Sequence, residues 1–231
     1  MKKNLTVVLC IVLFLILGIA LFFFIPEKTN ATEELIKGVQ NNEIREVQNA
    51  LKNGANPNTE VNGIPVLVQA IRNVNGRNKD LSIPQLLVNA GADISNPAVI
   101  IAALRLAASD IYISNLESDF IPSLISSGAD VNVKIDGKND VFCYSLKNDL
   151  NFRILKAAAG VGADINGHVD DKEWLPIEYC IRNGKHNIVS TLVYLGSEQP
   201  KDIEGKSIKD YVLQRYGEGV ANAFYKCLFS I

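Results

Sequence analysis

The residues of this 231-residue chain that could do catalytic chemistry are few and widely spaced. There are two histidines, His168 and His186, and neither has a cysteine or serine nucleophile at a suggestive spacing. Asp170 and Asp171 follow His168 closely, but no further ligands are spaced to complete a metal shell. A solvated loop tip is the simpler interpretation of that segment. We therefore expect no catalytic residue, no metal and no cofactor, and a histidine-dependent hydrolase is the least favoured function class.

The cysteines give no recognisable redox or zinc motif. Cys10 lies in an apolar N-terminal run, and Cys143, Cys180 and Cys227 belong to no CxxC or Cys/His cluster. Three is an odd number, so a full disulfide framework is not indicated. Cys180 is expected to be a small buried apolar residue, while a disulfide among these three cysteines stays open.

The charge balance also narrows the function classes. Beyond Lys2 and Lys3 the chain has 21 basic and 25 acidic residues and no basic block, which argues against nucleic acid. The segment Gly160-Val161-Gly162 does not continue into a nucleotide-binding motif. No small-molecule substrate is expected, which leaves a protein partner.

The N-terminus predicts a membrane anchor. A positive segment, residues 1–4, precedes an uncharged apolar run over residues 5–25. About 20 residues of helix cross a bilayer core, whereas the apolar region of a cleaved signal peptide is usually about 7–15 residues long. We expect an uncleaved signal anchor, then a linker over residues 26–31, with a cleaved signal peptide as the alternative. The positive-inside rule places the N-terminus in the cytoplasm and the remainder outside it.

The rest of the chain is organised by one repeated loop. Apolar, helix-like runs end five times in a Gly-Ala-Asp type of segment, starting at Gly54, Gly91, Gly128, Gly162 and Gly196. The spacing of 34 to 37 residues is typical of a repeat architecture. Glycine can close a helix in the left-handed conformation, and the following Asp or Asn can accept hydrogen bonds from nearby backbone.

Each unit contains two predicted helices. In the best-preserved unit, residues 175–196, Pro176 suits a first helical turn and Asn183-Gly184 separates two apolar stripes of helical period. The opening Leu175-Pro176-Ile177-Glu178-Tyr179-Cys180 resembles the ankyrin signature T-P-L-H-x-A, as does Ile64-Pro65-Val66-Leu67. The resemblance covers residues 32–231 and implies an all-α ankyrin-repeat solenoid of about five repeats with hairpin-like fingers and C-terminal capping helices.

Two units are longer than the family pattern. The second carries a polar insertion over residues 73–80, and the third a long connection over residues 109–119 that includes Tyr112. Insertions of this kind often decorate a binding face of a solenoid. The C-terminal residues 216–231 are apolar at helical spacing through Val220, Phe224 and Leu228, which predicts a final helix packed on the last repeat.

The resemblance also implies a binding surface. In the family, the fingers and the exposed faces of the first helices form a concave surface. The finger positions are Glu60, Asn62, Lys134, Asp136, His168, Asp170, Asp171 and Trp174, and the first-helix positions are Val68, Ile71, Arg72, Tyr179, Arg182 and Asn183. Trp, Tyr and Arg are enriched in binding hot spots, although Trp174 could equally pack over its own finger.

These observations together predict a membrane-tethered, non-enzymatic protein-binding module with its repeats on the non-cytoplasmic side. The alternative is a cleaved, secreted or periplasmic inhibitor or immunity-type protein that neutralises an enzyme.

Overall fold

The computed structural model describes residues 28–109, 112–113, 115–170 and 172–229, with side chains from residue 31 to residue 224 within those ranges. The described part is mainly helical. Its helices are α1 (Lys28–Asn41), α2 (Ile44–Lys52), α3 (Val66–Asn73), α4 (Ser82–Asn89), α5 (Pro97–Ala107), α6 (Ile121–Ser126), α7 (Val141–Lys147), α8 (Phe152–Gly160), α9 (Pro176–Arg182), α10 (His186–Leu195), α11 (Ile208–Tyr216) and α12 (Glu218–Phe229). A short antiparallel hairpin joins β1 (Glu60–Val61) to β2 (Ile64–Pro65).

The repeated glycine ends a helix in the same way each time. All five glycines have positive φ, between 85° and 111°, which costs glycine little because it has no Cβ. In each loop the next N–H donates to a carbonyl five residues earlier, for example Ala55 to Ala50 and Ala163 to Ala158. This is the Schellman type of helix end, and it confirms the predicted helix stop.

The acidic or amide residue of the loop acts as predicted. The side-chain oxygens of Asp93, Asp130 and Asp164 each accept a hydrogen bond from the N–H two residues on, at 2.9 Å. Asn56 does the same at 3.0 Å. Such Asx turns redirect the chain out of the helix and toward the next unit.

The helices stack as successive pairs, which we number as units 1 to 6 (α1–α2, α3–α4, α5–α6, α7–α8, α9–α10 and α11–α12). The first helices α1, α3 and α5 pack on one another in order, and so do α7 and α9. Among the second helices, α2 packs on α4, and α6, α8, α10 and α12 form a continuous row. Each unit therefore buries its apolar face against its neighbours, as in a solenoid.

Three details differ from or refine the sequence-based expectations. Helix α1 begins at Lys28, inside the segment expected to be a linker, and Ala31 is buried. The long connection of unit 3 contains an unpredicted π-helical turn, Leu116–Phe120. Helix α7, the first helix of unit 4, is short and lies over Val141–Lys147.

The C-terminal pair α11–α12 closes the stack. Ala221 and Phe224 of α12 are buried, and α12 packs on both α11 and α10. This agrees with the predicted capping helix as far as the side chains are described. Across residues 28–109, 112–113, 115–170 and 172–229, no helix combines the length and the apolar character needed to cross a membrane. The anchor predicted for residues 5–25 lies outside the described residues.

Candidate functional site

Two neighbouring fingers are joined by a buried polar side chain. We call residues 129–140 finger 3 and residues 163–175 finger 4. Asn139 is fully buried, and its Nδ2 donates to Asp136 Oδ2 at 2.9 Å and to Asp170 Oδ1 at 2.8 Å. Its Oδ1 accepts from the Asp170 N–H at 2.8 Å. One carboxamide thus satisfies groups on both fingers and fixes their spacing.

A lysine from helix α7 completes this network. Lys147 Nζ lies 2.6 Å from Asp170 Oδ1 and 3.5 Å from Asp136 Oδ2. Partial burial alone would raise the pKa of Asp136, but hydrogen bonds from Asn139 and the Lys138 N–H outweigh it and lower that pKa from 3.8 to about 2. Burial is likewise outweighed at Asp170, where Lys147 and Asn139 lower the pKa of the carboxyl group. The hydrogen bond to Asp170 in turn raises the pKa of Lys147. The network therefore stays ionised at neutral pH.

The only tryptophan, Trp174, lies close to two positively charged side chains of the same chain. Lys172 Nζ lies 4.1 Å from the Trp174 ring centroid, and Arg182 Cζ lies 4.5 Å from it. Arg182 is itself held by Glu178 at 2.8 Å and by Glu204. The ring is half-buried, and it contacts Lys172 of its own finger as well as Arg182 of helix α9.

The predicted binding residues fall into two groups, those exposed to solvent and those that are half-buried. Glu60, Asn62, Arg72, Lys134, Asp136, His168 and Asn183 are exposed, whereas Asp170, Trp174 and Arg182 are half-buried and engaged in the contacts above. Asn62 lies in the β1–β2 turn with a φ of 53°. Asp171 lies outside the described residues.

Three first-helix positions are wrong as binding residues. Val68 and Ile71 are fully buried, and Tyr179 is 9% exposed. Val68 and Ile71 lie on helix α3, which packs against α1 and α5, and Tyr179 lies on α9, which packs against α7 and α10. A partner docking on the folded chain cannot reach Val68 or Ile71.

Sequence reasoning missed the residues that hold the fingers in place. Asn139, Lys147, Lys172 and Glu204 belong to none of the sequence motifs identified above. The available signal was local: Asp136-Gly137 forms a turn, and its carboxylate accepts from the Lys138 and Asn139 N–H groups. The bridge to Asp170, 31 residues later, is tertiary.

The titratable groups with catalytic potential are isolated from one another. His186 packs edge-on against Tyr216 and Phe224, with centroids 4.5 and 5.3 Å away, and burial lowers its pKa. His168 is exposed, and neither histidine bonds to a described carboxylate or thiol. Within the described residues no group of His, Cys, Asp and Glu could hold a metal.

The two described cysteines are free thiols. Cys143 and Cys180 are both buried, and burial strongly raises the pKa of each. A buried thiol with a raised pKa is a poor nucleophile, and these two residues serve as small apolar core groups. The side chain of Cys227 lies outside the described part.

Neither a scan of the sequence against protein-family models nor a search of curated proteins finds a match.

Proposed function

We propose that this chain is a non-enzymatic protein-binding module of the ankyrin-repeat kind, whose partner docks on the finger face. We define the finger face as the exposed finger residues Glu60, Asn62, Lys134, His168 and Lys172. The observation that carries the proposal is the Asn139 network, which fixes fingers 3 and 4 relative to each other while leaving Lys134, His168 and Lys172 in solvent.

Pre-organisation is the physical reason that this arrangement suits binding. Ordering a loop upon association costs free energy, and a loop that is already ordered avoids that cost. Asn139 and Lys147 supply the order from inside the protein, so no partner contact is needed to create it. Functional residues are often placed on loops that a rigid scaffold positions.

The ankyrin assignment is supported by the helix-pair stacking and by the recurring glycine helix ends described above. It is also supported by the Pro-containing first-helix openings at Pro65 and Pro176, each of which directly precedes or begins a helix. The hairpin β1–β2 gives one finger the form expected of the family.

The membrane tether rests on the sequence of residues 5–25 alone. Helix α1 adds one consideration about processing. Cleavage after residue 31 would remove the first turn of α1 together with the buried Ala31, which favours the uncleaved form over a secreted inhibitor. The mass of the chain isolated from its native membrane tests this, because a species lacking about 31 residues would support the secreted alternative.

Site-specific photocrosslinking tests the finger face. A photoreactive benzoylphenylalanine replaces His168 in finger 4 in one version of the full chain and Lys52, exposed at the end of α2, in a matched control. We expect a discrete crosslinked protein from position 168 and none from position 52. The double substitution Lys134→Ala and Lys172→Ala should weaken that adduct, whereas Arg45→Ala with Lys52→Ala, which removes the same charge elsewhere, should not. Identical adducts from both positions, or no adduct from position 168, would contradict the proposal.

A further inference from the structure

The two insertions that enlarge units 2 and 3 converge on one cavity. The cavity has a volume of about 650 Å³ and lies between helices α2 and α4 and the π-helical turn. Helices α4 and α6 make sparser contact than any other consecutive pair of second helices in the described chain. Residues of α4 and of the π-helical turn that directly precedes α6 line the cavity. Its volume falls within the usual range of about 300–1,000 Å³ for ligand sites.

One wall is the ordered insertion of unit 2. Asn75 Oδ1 accepts from the backbone N–H groups of Arg77 and Asn78 at 2.9 and 3.1 Å. Asp80 Oδ1 accepts from both the N–H and the hydroxyl of Ser82, at 2.9 and 2.6 Å. A chain of side-chain-capped turns thus fixes a segment with few apolar contacts, and Lys79 through Ser82 face the cavity.

The opposite wall is the π-helical turn of unit 3. Asn115, at its start, has a φ of 63°, and its carbonyl accepts from the Asp119 and Phe120 N–H groups. Unit 4 holds the turn from outside, because Glu117 accepts from the Asn151 N–H at 2.6 Å and Arg153 pairs with Asp119. Single π turns are rare in proteins, and those that occur are often found at functional sites. This one is held in place by tertiary contacts.

The lining combines carboxamides with an apolar floor. Gln48, Gln85, Asn89 and Asn115 line the cavity, and Gln85 Nε2 donates to Asn89 Oδ1 at 3.0 Å. That bond leaves the Gln85 oxygen, one Gln85 N–H and both Asn89 N–H groups for a ligand. Half-buried Ile44, Leu81 and Leu86 supply the apolar surface.

The charged groups of the rim do not select a charged ligand. Asp80 is already engaged by Ser82, and Asp119 is paired with Arg153 at 3.7 Å. Lys79 is the other charged residue of the lining. The two positive charges of Lys79 and Arg153 balance the two negative charges of Asp80 and Asp119.

We propose that this cavity binds a short, neutral, extended peptide segment that carries apolar side chains. A carboxamide offers one acceptor and two donors, which match the C=O and N–H groups of a peptide backbone. Four carboxamides around an apolar floor can therefore bond an extended main chain while Ile44, Leu81 and Leu86 take its apolar side chains. This site is separate from the finger face and does not depend on the proposed function.

Calorimetric titration of the full chain tests the proposal. The probe is the capped pentapeptide acetyl-GLALG-amide, and the ligand control is the same peptide with N-methylated backbone nitrogens, which keeps the side chains and removes the donors. The double substitution Gln85→Met and Asn89→Leu removes two exposed carboxamides at similar size. Gln40→Met, exposed on α1 outside the cavity, is the matched protein control.

We expect the capped peptide to bind, and the dissociation constant to rise at least about tenfold for the double variant and for the N-methylated peptide. Gln40→Met and the finger variant Lys134→Ala should bind like the native chain. Absence of binding at millimolar peptide would overturn the proposal, as would equal binding of the N-methylated peptide or by the double variant. Maltose, a neutral hydroxyl-rich probe, should not bind, and tighter binding of maltose than of peptide would reassign the site to carbohydrate.

Discussion

Replacing the buried Asn139 by alanine should destabilise the protein more than its position in a loop suggests. The substitution removes two hydrogen bonds to carboxylates and one from a backbone N–H. A hydrogen bond to a charged group contributes about 1.5–3 kcal/mol, and a neutral one about 1 kcal/mol. Asp136 keeps its backbone donors and Asp170 keeps Lys147, so the low end of the charged range applies and we expect a loss of about 4 kcal/mol.

Urea unfolding of the full chain, followed by circular dichroism and by the fluorescence of Trp174, measures this loss. Trp174 lies in finger 4, next to the perturbed network, and reports local opening separately from global unfolding. The matched control is Asn148→Ala in the same unit, because Asn148 makes one bond, to the Tyr144 carbonyl at 2.8 Å. We expect about 1 kcal/mol there.

A second substitution at the same position, Asn139→Asp, should cause a destabilisation that depends on pH. Asn139→Asp places a third carboxylate beside Asp136 and Asp170, and like charges raise its pKa in the folded state. A carboxyl group whose pKa is raised by folding destabilises most at high pH and recovers as the pH falls. The defect should therefore shrink as the pH falls from 7 to about 4.5, because the added carboxyl group takes up a proton. A loss for Asn139→Ala no larger than that for Asn148→Ala, or a pH-independent defect for Asn139→Asp, would refute the reasoning.

Two further predictions concern backbone conformation and a buried imidazole. Gly128→Ala should cost about 1 kcal/mol in urea unfolding because its φ is 111°, whereas Gly160→Ala, at the end of α8 with open space around the added methyl group, should stabilise by about 0.5–1 kcal/mol. Equal effects of the two substitutions would contradict the assigned helix end. Since burial lowers the pKa of His186 below 6.5, its contribution to stability is complete above pH 6.5 and declines as the pH falls toward its folded-state pKa. His186→Gln should flatten the dependence of the unfolding free energy on pH in that range, and an unchanged slope would show that another group is responsible.

The repeat architecture was predictable because it depends on interactions between residues that are close together in the chain. A glycine at the end of a helix and an Asp two residues later act on backbone within five residues, so Gly128 and Asp130 could be assigned their roles from sequence. The apolar stripes of α7 and α10 follow from helical period alone. These features can be predicted without knowing which units contact one another.

The binding surface was predicted less well, because exposure is a property of the stack. Val68 and Ile71 lie on a first helix, as does Arg72, yet only Arg72 is exposed, since α1 and α5 cover the other two. Periodicity identifies an apolar face but does not tell which neighbour covers it. From sequence, Trp174 could equally bind a partner or pack over its own finger, and the structure places Lys172 and Arg182 over its ring.

The sequence by itself determined the glycine helix ends, the repeat period and the absence of any recognisable catalytic spacing, because each depends on residues near one another in the chain. Only the tertiary structure decided that Asn139 bridges two fingers and that the two insertions meet at one cavity. Asn139 and Asp170, which are hydrogen-bonded, lie about 30 residues apart in the chain, and Lys79 and Asn115, which line the same cavity, lie slightly further apart. Both arrangements depend on how one unit is rotated and spaced on the next, and packing across the whole interface sets that geometry.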